Sequence, residues 1–440
     1  MQPEFVQAAA GFAVMLALIA LRAPIGLAML VVGALGYVYI LDWAALANYL
    51  KTTPFHLFAN YTLSVIPLFI LMGALAERAG LARDLFAAAN AVVGRKPGGM
   101  AMSVIAACAC FGAVCGSSVA TTATFGRAAL PELRRYGYDH GFATGTIAVG
   151  GTLGILIPPS VILVIYAIST EQNIAKLFMA ALIPGLMATA FYIVAIWLTV
   201  RARPHLAPAG DAITGAQKRD AFLNVIPVML IAIVVVGGIY GGVFTPTESA
   251  AVGCIATLAV GLARRTLDWT RIGQSLRGTA ETTAMIFAIL LGAEVFNAFL
   301  ALTQAPVLLA FWIAEQGFAP YLVMGLLLFS YIILGAVMDE LAMILLTLPV
   351  FFPVVTALDF GLTGEETAIW FGILVLIVVG IGLTAPPIGL NVFVISSLAR
   401  DVPIASTYRG VLPYLATDAI RLLICLAFPG ISLWLVRLLT

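Results

Sequence analysis

Two stretches of this sequence place adjacent prolines and several glycines inside apolar runs long enough to cross a bilayer: GGTLGILIPPSVILVIY at 150–166 and VGIGLTAPPIGLNVFVI at 379–395. Proline has no amide hydrogen and its ring clashes with the preceding helical turn. Pro158 and Pro159 therefore release carbonyls around 154–157, and Pro386 and Pro387 release those around 382–385. A lone membrane proline usually means a kink, whereas paired prolines beside glycine, present twice, point to helices that are broken. The ends created at such breaks offer carbonyl oxygens to a cation and amide hydrogens to a carboxylate.

Two further apolar stretches carry polar interruptions that could act with these breaks. VCGSSVATTATFG at 114–126 supplies Gly116 for a tight turn and then the hydroxyls of Ser117, Ser118, Thr121 and Thr122. A desolvated monovalent cation needs several oxygen ligands, which hydroxyls and unpaired carbonyls provide without burying many charges, and sodium suits such a set. The competing reading is that these hydroxyls satisfy helix carbonyls or permit close packing. ILGAVMDELAMILLTLPVFFP at 333–353 holds Asp339 and Glu340 amid apolar residues. A carboxylate at membrane depth costs kilocalories unless it is paired or wet, which makes Asp339 the leading cation ligand, against a reading in which the tip protrudes into water. Glu248, Glu281 and Glu294 rank below it, as acids that could pair with arginine or cap a helix. For an anionic substrate, Arg127 could neutralise a carboxylate and Asn391 could hydrogen-bond it, with Ser118 and Pro158 as further contacts. Arg127 in water is the competing reading.

Composition fixes the setting for this chemistry. The chain has 440 residues, of which 62% are hydrophobic and 10% charged, with a mean hydropathy of +1.09. A soluble chain is typically about 25% charged, so this is a polytopic membrane protein of the all-α class. At roughly 20 apolar residues per crossing, it accommodates about ten to twelve membrane-embedded segments. The first apolar run, 5–21, has Glu4 and no basic residue ahead of it, unlike a secretory signal, and is expected to be a retained helix. Net charge is +1, with no basic block suited to nucleic acid. Cys108, Cys110, Cys115, Cys254 and Cys425 form no CxxC pair and read as small packing residues rather than metal ligands.

Spans are expected near 4–21, 25–41, 54–76, 143–170, 177–200, 221–240, 243–263, 279–299, 367–398 and 410–438, with re-entrant hairpins at 100–131 and 320–356. Non-helical backbone at membrane depth is tolerated only where it is buried in protein or faces a wet cavity. Lysine and arginine concentrate in short cytoplasmic loops. If each hairpin enters and leaves on one side, Arg78, Arg83, Arg95, Lys96, Arg134 and Arg135 share a face with the basic segments at 201–219, 264–277 and 400–409. The opposite face keeps Lys51, Lys176 and an acidic loop with Asp359, Glu365 and Glu366.

The halves of the chain repeat. FILMGALAE at 69–77 resembles AILLGAEVF at 288–296, pairing Gly73 with Gly292; Gly116 and Gly335 each follow 43 residues later. Pro131 follows Gly116 by 15 residues and Pro349 follows Gly335 by 14. Each half then reads as a helix, a hairpin and a broken helix, and an odd number of crossings between equivalent helices makes the repeats inverted, a recurrent plan of secondary transporters. The corresponding division is 1–53 for N-terminal scaffold helices, 54–176 for repeat 1, 177–278 for connecting and scaffold helices, 279–400 for repeat 2 and 401–440 for a C-terminal helix.

Six ordered motifs resemble the large membrane subunit (M subunit) of the tripartite ATP-independent periplasmic (TRAP) transporters: IPLFILMGALAERAGL at 66–81, CGSSVATTATFG at 115–126, GTLGILIPPS at 151–160, FTPTESAAVG at 244–253, GAVMDELAMILLTLPVFFPV at 335–354 and GLTAPPIGLNVFVI at 382–395. The resemblance covers essentially the whole chain. It implies a sodium-driven importer in the bacterial inner membrane, fed by a periplasmic solute-binding protein, completed by a small four-helix membrane subunit, and needing no cofactor beyond Na+. The expected cargo is an organic acid, such as a C4-dicarboxylate or sialic acid. Hairpins and broken helices would form a transport domain that moves as an elevator against a scaffold. Two sodium sites are implied, each pairing a hairpin with the following break: Ser117 and Thr121 with backbone near Gly154 and Ile157, and Asp339 and Thr384 with backbone near Gly335 and Gly382. The family often has an acid where this chain has Thr121.

Two alternative readings compete with this one. A stand-alone carrier of the same architecture would work without partners. An intramembrane serine protease using Ser117 would need a histidine base within reach, but His56, His140 and His205 fall at expected loops or helix ends. No GxxxxGK[ST] phosphate loop is present, so ATP-powered pumping would require another chain.

Overall fold

The computed structural model describes residues 3–211 and 214–439, with no strand among the described residues. The chain opens with α1 (Pro3–Ala20), α2 (Ile25–Ile40) and α3 (Trp43–Phe58), then a 3-10 turn at Tyr61–Ser64, α4 (Val65–Arg78) and α5 (Leu81–Val93). The single span expected at 54–76 is therefore two helices around a corner. There the Asn60 side chain accepts from the Thr62 amide at 2.9 Å and starts a new element instead of continuing α3.

The first hairpin joins α6 (Gly99–Cys115) to α7 (Ser118–Arg135). Its turn is compact because Gly116 takes φ 64°, in the left-handed region where only glycine sits without strain, and Ser117 caps α7. The first broken helix follows as α8 (His140–Leu156) and α9 (Val161–Ser169), bent by 44° at Pro158–Pro159. Next come α10 (Ile174–Ala202), α11 (Gly215–Tyr240) and α12 (Pro246–Ala263). Thr245 and Glu248 form a capping box at the start of α12, which accounts for Glu248.

In the second half α13 (Trp269–Thr303) is longer than the expected 279–299 and ends where Gln304 takes φ 53°. A further helix not foreseen from sequence, α14 (Ala305–Glu315), precedes the second hairpin, α15 (Pro320–Gly335) and α16 (Glu340–Thr356). The second broken helix is α17 (Gly364–Gly382) and α18 (Leu390–Leu398). The expected span at 410–438 divides into α19 (Ile404–Ala427) and α20 (Gly430–Leu439) around Pro429, which cannot donate to the α19 ladder. Seven described helices are long and apolar enough to cross a membrane, or eight counting the bent pair of α8 and α9. The expected ten to twelve embedded segments are reached only by adding shorter apolar helices such as α1, α2, α6, α15 and α16.

The long arms of the broken helices, α8 and α17, form the core. Every residue of α8 from Gly141 to Leu156 and of α17 from Thr367 to Gly382 is buried, as befits helices that are apolar on all sides. In lipid, helices associate by close packing and hydrogen bonds more than by hydrophobicity. Accordingly α8 meets α19 through Gly145 against the Gly410 backbone, with Thr144 bonded to Thr407 at 2.9 Å and Thr146 to Tyr414 at 2.7 Å. A similar close approach brings Gly292 of α13 onto the carbonyl of Gly26 in α2.

Charges gather at the two ends. Arg134 with Asp401, Tyr136 with Asp211 and Arg264 with Asp84 tie one end together, and the Arg134 guanidinium holds the Asp401 carboxyl below its usual range. Lys176 with Glu365 and Arg437 with Glu366 tie the other.

Candidate functional site

Each hairpin tip is bonded to the break that follows it. In the first half the Val161 amide, just past the Pro-Pro pair, donates to the Gly116 carbonyl at 3.4 Å. In the second, the Ile388 amide donates to the Ala336 carbonyl at 3.2 Å. Prolines 158 and 159 cannot donate to the carbonyls four residues back, those of Gly154 and Ile155, and Pro386 and Pro387 leave Gly382 and Leu383 in the same position. Both glycines face a tip. A Cβ on Gly154 would lie 2.7 Å from the Ser117 carbonyl oxygen and 2.5 Å from Thr121 Oγ1, and one on Gly382 would lie 2.8 Å from Gly335 Cα.

The first set is thus assembled from neutral oxygens. Ser117 caps α7 through its Oγ, accepting from the Ala120 amide at 3.4 Å, and its carbonyl accepts from Thr121 Oγ1 at 2.7 Å. A hydroxyl that donates once keeps lone pairs for a cation. Ile157 closes α8, its amide bonded to the Leu153 carbonyl. The structure brings Ser117, Thr121 and Gly154 together and sets Ile157 at the edge of the same break.

The second set is arranged differently. Gly335 is the last residue of α15 rather than the turn, which is made by 336–338. Asp339 caps α16, with Oδ1 accepting from the Leu341 and Ala342 amides at 3.0 and 3.1 Å. Thr384 is fully buried and donates to the Gly380 and Ile381 carbonyls of its own helix end. Asp339 and Thr384 are therefore not bonded to each other, whereas Gly335 and Gly382 touch. Glu340, beside Asp339, has Oε2 buried without a hydrogen-bond partner. Counted from the two caps, Ser117 and Asp339, the helix prolines that correspond are Pro131 and Pro353, each 14 residues on, in place of the pairing of Pro131 with Pro349.

Among the candidate substrate contacts, Ser118 and Asn391 are fully buried and bonded to each other, Ser118 Oγ donating to Asn391 Oδ1 at 2.9 Å. Asn391 Nδ2 donates to the Ala148 carbonyl at 3.1 Å. Pro158 lies in the buried first break. Arg127 is half exposed and pairs with Glu77 of α4. The other acids singled out also have partners: Glu281 pairs with Arg277 at 2.8 Å and the Glu294 carboxylate accepts from the Tyr49 hydroxyl at 3.5 Å.

One cluster escaped sequence reasoning. Asp418 and Arg421 of α19 form an ion pair at 2.7 Å with side-chain exposures of 2% and 0%. The Tyr192 hydroxyl of α10 donates to the same carboxylate at 2.7 Å and contacts Thr152 of α8 at 3.3 Å. Its signal was an acid and a base three apart in an otherwise apolar segment, TDAIRLL. Among the described residues no group of three or more His, Cys, Asp or Glu could hold a metal, so the oxygen sets at the tips are the candidate cation ligands.

Comparison with known proteins agrees with this architecture. Residues 12–431 match the family described as "Tripartite ATP-independent periplasmic transporter, DctM component". The chain is 36% identical over 375 residues to the C4-dicarboxylate TRAP transporter large permease protein DctM of Pseudomonas aeruginosa, covering 85% of this chain and 86% of that one. It is 31% identical to the sialic acid TRAP transporter large permease protein SiaM of Vibrio cholerae, covering 86% and 87%. In fold it is similar to the YdaH transporter of Alcanivorax borkumensis, with a TM-score of 0.62 at 16% identity over 89% of this chain and 90% of that one.

Proposed function

Because the chain belongs to the family of DctM components of tripartite ATP-independent periplasmic transporters, we propose that it is the large permease subunit of a sodium-coupled, binding-protein-dependent importer of an organic acid. The observation that carries the ion coupling is the hydrogen bond from each Pro-Pro break to its hairpin tip, Val161 to Gly116 and Ile388 to Ala336, beside glycine carbonyls deprived of an amide donor. Ser117, Thr121, Gly154 and Ile157 form one sodium site; Gly335, Asp339, Gly382 and Thr384 form the other, with Glu340 supplying a further oxygen. Sodium neutralises these oxygens, and its gradient drives solute entry.

The substrate's carboxylate is drawn to the N-terminal turns of α7 and α18, whose amides carry partial positive charge. Ser118 and Asn391 sit on those turns, and Pro158 flanks them across the first break. Arg127 exchanges Glu77 for the substrate. The names of the relatives place C4-dicarboxylates and sialic acid at the head of the substrate classes to test. The two hairpins and two broken helices are inverted repeats that move together as an elevator in the inner membrane. A small four-helix subunit braces the scaffold and a periplasmic solute-binding protein delivers the cargo.

The test is uptake of radiolabelled succinate and N-acetylneuraminate by proteoliposomes containing the three-component assembly. Uptake is expected with an inward sodium gradient and to collapse when choline replaces sodium. Equal uptake in choline would overturn ion coupling, and undiminished uptake after omission of the binding protein and the small subunit would make the chain a stand-alone carrier.

A further inference from the structure

Asn391 occupies a position with no counterpart in the other half. Counted from each Pro-Pro pair, the matching residue in the first half is Leu163, which has no polar side chain. Asn391 is fully buried, and its backbone amide, side-chain oxygen and side-chain nitrogen each bond to a different element. Its backbone amide donates to the Leu383 carbonyl at 3.0 Å, on the residue that closes α17 directly after Gly382. Its side-chain oxygen accepts from Ser118, the neighbour of Ser117 at the first tip, at 2.9 Å. Its side-chain nitrogen donates to the Ala148 carbonyl of α8 at 3.1 Å. The orientation of the amide is fixed, because a flip would set its oxygen against the Ala148 carbonyl, two acceptors with no proton between them. The Ser118 carbonyl in turn accepts from Thr122 Oγ1 at 3.0 Å, and Thr122 lies directly against Gly151 of α8. One amide therefore links the first tip, the first broken helix and the edge of the second break.

We propose that Asn391 is the joint through which an ion bound at one oxygen site raises the affinity of the other. An ion held between the Ser117 and Gly154 oxygens fixes the first tip against α8. Ser118 and Ala148 are fixed with them, and so is the amide that holds the Leu383 carbonyl at the second site. The ordering cost is then met once for two ions, which is positive cooperativity with little change of shape. The inference deepens the sodium reading above and rests on it.

The experiment is an equilibrium isotherm of 22Na+ bound to the full chain in lipid nanodiscs, with choline chloride holding ionic strength. The wild-type isotherm is expected to be sigmoidal. Asn391→Leu and Ser118→Ala should make it hyperbolic, with a Hill coefficient of about 1, the same saturating amount of ion, and half-saturation raised roughly 5-fold or more. Ser118→Thr keeps the hydroxyl and should keep the cooperativity, which a purely structural role for this position would not require. Ser118→Ala deletes one oxygen and tests the same bond should Asn391→Leu fail to fold. A wild-type Hill coefficient and half-saturation in folded Asn391→Leu or Ser118→Ala would overturn the joint, as would a hyperbolic wild-type isotherm. Absence of 22Na+ binding to the wild-type chain would instead remove the sodium reading itself.

Discussion

The break at 157–160 is buried at every residue, whereas in the break at 383–389 Pro386, Pro387 and Ile388 are exposed. The tips differ in the same sense: the first turns on Gly116 and presents hydroxyls and carbonyls, and the second turns through 336–338, exposes Val337 and carries Asp339 and Glu340. An unpaired carboxylate costs several kilocalories in a dry interior and much less where water reaches it. In this chain the first half holds its oxygens without a formal charge, whereas in the second Asp339 is half-buried with its carboxylate on the α16 amides and Glu340 keeps Oε2 buried without a partner. The family pattern often has an acid where Thr121 stands, so on the proposed sodium reading the first site would recognise its ion by geometry while the second would also attract it by charge.

If the surroundings of the first break are dry, a charge there is tolerated only as a pair. Asp418 and Arg421 lie against the helix that leads into it, linked through Tyr192 to Thr152 of α8. Arg421→Met leaves Asp418 buried alone and is expected to cost about 3–5 kcal/mol, the largest effect foreseen, with most of the loss recovered in the double variant Asp418→Leu, Arg421→Met. Denaturation midpoints in detergent measure both. A loss within error for Arg421→Met would mean that water reaches this region and that the contrast between the halves is wrong.

Substitution at the glycines that meet the tips should cost less, about 1–3 kcal/mol, the usual range for overpacking. Gly382→Ala is expected to be the worse of the two, because its Cβ would lie 2.7–3.0 Å from Gly335 backbone atoms that cannot rotate away. At Gly154 the nearest obstacle is Thr121 Oγ1, a side-chain atom that can turn, followed by the Ser117 carbonyl. The reverse ranking in thermal unfolding would show that the second contact is the looser one.

What could be foreseen from sequence follows how local each determinant is. The Pro-Pro breaks and the Gly116 turn were legible, since proline's missing donor and glycine's positive φ act within one turn of chain. The second turn contains no glycine, and Gly335, aligned with Gly116 by its spacing, serves contact with Gly382, a neighbour distant in sequence. The corner at Asn60 and the helix α14 were lost inside apolar windows averaged over a whole span. Asp418 and Arg421 were missed for the same reason, and the bond from Ser118 to Asn391 joins residues 273 apart, with no trace in the local pattern.

At the open tip charge and structure can be separated. Glu340→Gln removes an unpartnered buried carboxylate oxygen, so stability in choline should be unchanged or slightly raised, while 22Na+ half-saturation weakens about tenfold, equivalent to roughly 1.4 kcal/mol. Asp339→Asn keeps Oδ1 as the acceptor for the Leu341 and Ala342 amides and thereby preserves the cap. Its effect on sodium binding reports the charge alone. Should both variants bind sodium as the wild type does, the acids of the second tip would be solvated bystanders.

The smallest effect is expected at Ser117, and its size bears on how a neutral site works. Ser117→Ala removes a cap whose bond to the Ala120 amide is long, 3.4 Å, so the stability loss belongs at the low end of the capping range, about 0.5 kcal/mol. The Ser117 carbonyl and Thr121 Oγ1, which face Gly154, are unaffected by the change. If those two oxygens and the released Gly154 carbonyl hold the ion, sodium half-saturation in the variant should shift less than in Glu340→Gln. A shift larger than that of Glu340→Gln would place the Ser117 hydroxyl among the principal ligands. The first half would then depend on side chains as heavily as the second does, and the two halves would no longer differ in how they hold an ion.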